Sequence, residues 1–376
     1  MSIPVKLVAA NDTVGALLAL ADALAGKQAV FITAPETNGL MPEVHGLPNE
    51  VDQDTALVVE SSGSTGTPKR ISLSRQALIA SAKASEARLA PQAQPNTQSQ
   101  WLVCLPINYV AGANVLIRSL VADTQPVLMN TSLPFTADAF ARAASLMTAE
   151  RRFVSLVPTQ LLRLVNQAGI DDFLLAGLRR FDAILLGGQA PDASLLQKAK
   201  DLGLKVVQSY GMAETAGGCV YDGVPLDGVK VRIGSGQQVE ISGPTLANFV
   251  ADTDGWYRTN DLGEFDTSGK LVILGRTNRV LASGGVKVSL DSIEEVVRQI
   301  GGVVDAAAIS VSDSEWGERA VLVYVGSPEV ADYVAAEILS NLGAAAKPVR
   351  VIRVDTIPRL NSGKTDYVWL KSQFSG

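Results

Sequence analysis

Between residues 56 and 208, short apolar runs alternate with stretches of helical spacing, and no other feature narrows the fold as much. Runs at 56–59, 101–105, 126–129, 153–157, 183–186 and 205–208 have the length of strands buried on both faces. Among them, 75–89, 111–122, 137–149, 158–167 and 191–202 carry helical patterns. This alternation predicts a βαβ succession around a largely parallel sheet. Ligands of such sheets bind at loops leaving the carboxyl ends of the strands. Three loops fall at such ends: S-S-G-S-T-G-T-P-K at 61–69, Gly187-Gly188-Gln189, and Ser209-Tyr210-Gly211.

The flanking regions read differently. Residues 1–55 suggest a helix at 13–25, a strand at 29–33 and a loop holding Pro35, Pro42 and Pro48. After Gly211, short strands at 229–233, 239–242, 271–274 and 279–281 are separated by Gly- and Asp-containing turns. From about 278 a third texture begins: a Gly-Gly loop (283–286), an acidic helix (291–300), strands at 306–311 and 320–325, a helix (329–342) and a strand (349–354). The expected fold is α/β. A large domain, 1–277, has βαβ-layered sheets and a β-rich subdomain, and a small α+β domain follows over 278–376.

Composition removes several function classes. The net charge of −6 argues against nucleic acid as a partner, since phosphate backbones demand a basic face. No apolar run is long enough to span a bilayer, which argues against membrane insertion. The run at 14–21 is preceded by Asp12 and cut by Asp22, so it reads as an amphipathic helix rather than a signal peptide. Two distant cysteines, Cys104 and Cys219, make no C-x-x-C, which fits a reducing, cytoplasmic setting. A single histidine, His45, nearly removes Ser–His–Asp and Cys–His catalysis.

The loop at 61–69 is rich in small donors: hydroxyls of Ser61, Ser62, Ser64, Thr65 and Thr67, backbone N–H groups freed by Gly63 and Gly66, and the Lys69 ammonium. Such a set suits the oxygens of a polyphosphate. Standing alone it would read first as a polar turn. It is not a Walker A loop, because Lys69 follows Pro68 and precedes Arg70.

Six motifs in order change its weight: 61–69, then Y-G-M-A-E-T (210–215), G-W-Y-R-T-N-D (255–261), G-R-T-N-R-V (275–280), S-G-G-V-K-V (283–288) and P-R-L-N-S-G-K (358–364). Together they resemble the core motifs of the adenylate-forming enzymes, the acyl- and aryl-CoA synthetases among them. The resemblance covers residue 55 to the end. Within that superfamily, L-P-I-N-Y-V-A-G-A-N-V-L-I-R-S-L (105–120), S-L-V-P-T-Q-L-L-R-L-V (155–165) and G-G-C-V-Y-D-G-V-P-L-D-G-V (217–229) are most similar to the o-succinylbenzoate–CoA ligases of menaquinone biosynthesis. The segment before the phosphate loop is short for the superfamily.

The resemblance implies ATP, Mg²⁺ and coenzyme A as cofactor and co-substrates, with 2-succinylbenzoate as the acid. Ser61, Ser62, Gly63, Ser64, Thr65, Gly66 and Lys69 would hold the β- and γ-phosphates, and Glu214 the metal. Gly188, Gln189, Ser209, Tyr210, Gly211 and Thr215 would frame the base and phosphates, while Asp261 and Arg276 would take the ribose. Lys364 would touch the reacting carboxylate and α-phosphate. Asn278 matches a hinge position usually held by Asp, about which the small domain moves to bring Gly284, Gly285 and Lys287 toward the pantetheine. Tyr109, Thr159, Gly187, Gly217 and Gly218 would line the acyl group. Arg118 and Arg163 are candidates for the second carboxylate, though each reads more readily as a solvated helix residue, and a water held by hydroxyls and backbone would serve instead. Three departures stand out: Ala213 in place of a phosphate-contacting Thr or Ser, for which Thr215 or Ser209 would substitute, Tyr109 at a gate often held by His, and Arg70 after Lys69. Another aryl- or acyl-CoA ligase and a non-catalytic nucleotide-binding homologue remain open alternatives, as does homo-oligomerisation.

Overall fold

Strand pairing follows the chain in four successive groups. The computed structural model describes residues 1–61, 69–91, 97–360 and 364–375. Two compact units result, one from the described residues up to 231 together with 241–257, the other from 232–240 and 258 onward.

The larger unit opens with a sheet of β1 (Ser2–Ala9), β2 (Ala29–Thr33), β3 (Glu50–Asp52), β4 (Thr55–Ser61) and β5 (Lys69–Ser74), in the order β3-β1-β2-β4-β5. The expected strand at 56–59 is the centre of β4. Its partner β5 returns antiparallel with Ser61 opposite Lys69, so the donor-rich loop joins two strands of one hairpin. Helix α1 (Thr13–Leu24) starts where Asp12 accepts from the Gly15 N–H, and α2 (Arg75–Leu89) where Ser74 accepts from Ala77.

The second sheet comprises β6 (Ser99–Val103), β7 (Val127–Leu128), β8 (Arg151–Leu156), β9 (Ala183–Leu186), β10 (Val206–Met212), β11 (Gly217–Tyr221) and β12 (Val224–Pro225), in the order β12-β11-β10-β9-β8-β6-β7. From β7 to β10 its ladders are parallel, as the alternation predicts. The crossovers carry α3 (Val110–Val121), α4 (Ala137–Ser145), α5 (Pro158–Ala168), α6 (Asp172–Arg179) and α7 (Ala193–Asp201). Phe140, Leu161, Leu164, Leu178, Ile184 and Leu186 pack into one core beneath the sheet, each fully or almost fully buried. Helix α3 lies between the two sheets, against α1, α2 and β6.

The smaller unit holds most of a four-stranded sheet, β13 (Lys230–Ile233), β14 (Gln238–Ser242), β15 (Tyr257–Phe265) and β16 (Leu271–Arg276), joined in that order. A five-stranded sheet follows: β17 (Val280–Ser283), β18 (Val286–Ser289), β19 (Val303–Asp313), β20 (Gly317–Gly326) and β21 (Arg350–Arg353), with helices α8 (Leu290–Arg298), α9 (Val330–Leu342) and α10 (Tyr367–Phe374). The α+β texture expected over this region is present. Sequence reasoning missed β1, β3, β5, β11, β12, β15, β18, α6 and α10. No helix among the described residues is long and apolar enough to cross a membrane.

Candidate active site

In the larger unit the site is built around the β10–β11 hairpin. The sequence reading ends its strand at 208, but β10 continues to Met212 and turns antiparallel along β11, with Ser209 opposite Tyr221 and Met212 opposite Gly217. Two glycines make this approach feasible. A Cβ on Gly211 would lie 2.1 Å from the Gly217 carbonyl oxygen, and one on Gly218 would lie 2.2 Å from Ser209 Oγ. The connecting turn (Ala213–Thr215) closes with Ala216 in the left-handed region at φ 51°.

Glu214 projects from this turn with its side chain 12% exposed, and its Oε1 lies 3.5 Å from Lys69 Nζ. Its carbonyl accepts from the Ala247 N–H at 2.8 Å. Mg²⁺ takes hard oxygen ligands, so the Glu214 carboxylate, facing the lysine that ends the donor-rich loop, would fit that ion. Among the described residues no three His, Cys, Asp or Glu side chains gather as a metal site. Ser62, Gly63, Ser64, Thr65 and Gly66 lie outside the described residues, and Ser61 ends β4 opposite Lys69.

Thr215 is fully buried, and its hydroxyl is engaged inside the turn. It accepts from the Met212 N–H at 3.0 Å and donates to the Gly217 carbonyl at 2.7 Å. This arrangement shapes the Glu214 turn and commits the Thr215 hydroxyl to it, leaving Ser209 as the other candidate to replace the hydroxyl missing at Ala213. Gly187 directly follows β9, its N–H donating to the Leu156 carbonyl at 3.1 Å, and Gly188 has φ +88°. Gln189 follows at the carboxyl edge of the parallel sheet, and a Cβ on Gly187 would lie 3.3 Å from the Ser209 carbonyl oxygen on β10.

Beneath the hairpin lies a polar cluster that the sequence reading found only in part. Arg118 on α3 is 6% exposed. Its Nη1 is 3.4 Å from Ser155 Oγ, its Nη2 is 3.2 Å from the Tyr221 hydroxyl, and its guanidinium stands 4.8 Å from the Trp101 ring centroid. Its Nε has no partner, and no carboxylate among the described residues pairs with it. One turn earlier Asn114, 3% exposed, donates to the Ala216 carbonyl at 2.8 Å, which also receives Ser81 Oγ at 3.0 Å. Asn114 was legible in principle: with Arg118 it makes an i, i+4 polar pair on an otherwise apolar helix.

The other acyl candidates are placed separately. Tyr109 caps the start of α3; burial pushes its hydroxyl above the ordinary value and the Glu60 charge adds to this, against a hydrogen bond with Asn108. Thr159 sits in the first turn of α5. Arg163 stands on the exposed face of α5 and donates to the Phe135 carbonyl at 3.1 Å, so it does not join the Arg118 cluster.

In the smaller unit, Asp261 and Arg276 are opposed across β15 and β16, with Arg276 Nε 3.2 Å from Asp261 Oδ1. Asp261 lies mid-strand and 6% exposed, where the unaided sequence suggests a turn aspartate. Asn278 is in the short turn Thr277–Arg279 between β16 and β17. Gly284 and Gly285 join β17 to β18 at φ +57° and +81°, a turn that L-residues resist, and Lys287 is exposed on β18. The Lys364 carbonyl accepts from the Leu360 N–H at 2.8 Å.

Comparison with known proteins identifies the family. Residues 7–275 match the AMP-binding enzyme family and residues 292–364 the AMP-binding enzyme C-terminal domain. A probable 2-succinylbenzoate–CoA ligase of Mycobacterium tuberculosis is 34% identical over 98% of this chain and 97% of its own length. The 2-succinylbenzoate–CoA ligase of Bacillus licheniformis is 28% identical over 87% of this chain and 72% of its own. The o-succinylbenzoate CoA synthetase of Bacillus subtilis, solved with its acyl-adenylate intermediate, shares the fold at TM-score 0.74 and 22% identity, covering 94% of this chain and 81% of that one. The chain therefore belongs to the AMP-binding enzyme family and carries that family's C-terminal domain.

Proposed function

We propose that the chain is an ATP-dependent acid–thiol ligase that adenylates 2-succinylbenzoate and passes the acyl group to coenzyme A, in menaquinone biosynthesis. The observation that carries the choice of acid is Arg118, a buried cation with a free Nε and no carboxylate beside it among the described residues. A second substrate carboxylate would complete it, because a guanidinium pairs with a carboxylate in a planar, directional way. The near-full-length identity with the mycobacterial ligase supports the same reading.

In this chemistry the aliphatic carboxylate, ionised at neutral pH, attacks the α-phosphorus of ATP. The bond from that phosphorus to the bridging oxygen breaks and pyrophosphate leaves. The thiol sulfur of coenzyme A then bonds to the acyl carbon, AMP departs with the C–O electron pair, and the thiol proton passes to water. No imidazole base is needed, and the protein contributes positioning and charge.

Lys69 and the loop from Ser61 to Gly66 would grip the β- and γ-phosphates, and Glu214 would hold Mg²⁺, which supplies neutralisation of the phosphate charge. Gly187, Gly188, Gln189, Ser209, Tyr210 and Gly211 would frame base and acyl group, with Tyr109, Thr159, Gly217 and Gly218 lining the latter. Asp261 and Arg276 would take the ribose, and Lys364 the reacting carboxylate. We take Asn278 as the hinge between a large domain ending at 277 and a small domain from 278, and Gly284, Gly285 and Lys287 as the pantetheine approach. ATP and coenzyme A as substrates, with both cysteines buried and neither in a disulfide, suit the cytoplasm.

Pyrophosphate release on mixing the protein with ATP, Mg²⁺ and 2-succinylbenzoate tests the assignment. Release with other aromatic acids alone would make it a different aryl-CoA ligase, and release with none would leave a nucleotide-binding homologue. Lys364→Ala is expected to abolish adenylate formation and spare thioester formation from preformed acyl-adenylate. Equal loss of both steps would refute its role.

A further inference from the structure

The smaller unit contains a chain of buried charges that the reaction scheme leaves unused. Glu294 on α8 is 3% exposed, yet its carboxylate is fully engaged. It accepts from Arg279 Nη2, from Arg298 Nη2 at 2.8 Å, from the Ala308 N–H at 2.8 Å, and from the Tyr367 hydroxyl, 3.0 and 3.1 Å from its two oxygens. Arg279 also stacks on Tyr367, 3.8 Å from the ring centroid, and pairs with Asp291.

A buried ion cluster is weak support for stability, because desolvation offsets much of its attraction. What such a network does supply is a fixed geometry for the segments it joins. Those segments are the ones that matter here. Arg279 directly follows Asn278, and Tyr367 stands three residues after Lys364. The Lys364 segment is anchored on both sides. Arg359 pairs with Asp305, which in turn faces Arg298 at 3.8 Å, while Arg359 and Thr365 form a bridge and Tyr367 closes onto Glu294. Asp291 extends the chain of contacts in the other direction, since its Oδ2 accepts from the Arg276 N–H at 3.1 Å.

We propose that Glu294, Arg279 and Tyr367 form a positioning cluster that holds the Lys364 segment against the Asn278 turn, setting the lysine for the adenylation half-reaction. The cluster touches no substrate and acts through Lys364, so the inference rests on the role proposed for that lysine.

Tyr367→Phe isolates the effect, because it keeps the ring under Arg279 and removes only the hydroxyl. Loss of a hydrogen bond to a charged group is expected to slow pyrophosphate release about ten-fold, with thioester formation from preformed acyl-adenylate within about two-fold of the parent. Glu294→Gln should act in the same direction. Hydrogen exchange on the unliganded full chain gives a readout that needs no substrate. Residues 364–367 and 277–282 should exchange faster in Tyr367→Phe while β19 and β20 keep their protection. Equal loss of both half-reactions, unchanged exchange near Lys364, or loss of protection throughout β19 and β20 would each overturn the proposal. A parent protein inactive on 2-succinylbenzoate would sink the substrate assignment alone, since the exchange pattern tests the cluster independently.

Discussion

Arg118 Nη2 stands 3.2 Å from the Tyr221 hydroxyl, which in turn lies 2.8 Å from Ser85 Oγ, so the buried cation on α3 is tied through β11 to α2. It is oriented by hydroxyls and by an aromatic face, and neutralised by neither. A buried charge kept without a counter-charge costs stability, and function is the usual reason for keeping it. Arg118→Met should therefore leave Tm unchanged or raise it, while the KM for 2-succinylbenzoate rises about 30-fold, the scale of a charged hydrogen bond. The KM for ATP should hold. A fall in Tm with no change in KM would make Arg118 a structural residue.

Glu214 and Lys69 face each other at 3.5 Å at the end of the donor-rich hairpin. Removing the carboxylate charge would weaken the proposed magnesium site without disturbing the turn, whose shape depends on Thr215 and backbone bonds. Glu214→Gln should shift the Mg²⁺ dependence of pyrophosphate release to about ten-fold higher concentration, in keeping with a lost charged ligand. A Mg²⁺ titration superimposable on the parent's would take Glu214 out of the metal site.

The parallel sheet and its crossovers were legible because strands buried on both faces leave unbroken apolar runs, as in A-I-L-L at 183–186. Strand β15 was not. Its inward positions are Thr259, Asp261 and Gly263, so the alternation is present but is not hydrophobic. Asp261 thus reads as a turn residue until its neighbour strand supplies Arg276. Strand β1 is masked by Pro4, and the continuation of β10 by Ser209 and Gly211, residues that ordinarily signal a turn. At the site, Arg118 and Arg163 carry the same helical signal; only the packing of α3 between two sheets, against the exposed face of α5, separates them.

The hairpin that presents Glu214 should tolerate no side chain at its crossing. A Cβ on Gly211 would be 2.1 Å from a backbone oxygen, and one on Gly217, at φ +93°, would be 2.1 Å from Asn114 Nδ2. Backbone cannot yield as a flexible side chain can, so Gly211→Ala should destabilise by about 2–3 kcal/mol and lower activity with it. Gly236 offers the comparison: its φ is +66° with nothing within 4 Å of a Cβ, so Gly236→Ala should cost only about 1 kcal/mol of backbone strain. Urea unfolding of the two variants decides this, and equal losses would show that the hairpin relaxes.

Alkaline pH should expose a group buried in its neutral form. Cys104 is 4% exposed and its thiol donates to the Ser155 carbonyl at 3.3 Å; burial pushes that thiol far above its ordinary value. In the unfolded chain the same thiol ionises near pH 8.5. Above that pH the unfolded state binds fewer protons than the folded one, so stability is intact below about 8.5 and falls as pH rises past it. Tyr367 acts in the same sense from about pH 10, its hydroxyl held up by burial first and by the Glu294 charge next, against the opposing charge of Arg279. Cys104→Ala should flatten the decline between pH 8.5 and 10 by up to about 1.4 kcal/mol per pH unit, whatever its effect on stability at pH 7. Urea midpoints of parent and variant at pH 7, 9 and 10 measure the difference. Parallel declines would mean that the Cys104 thiol ionises as readily in the folded protein as in the unfolded chain.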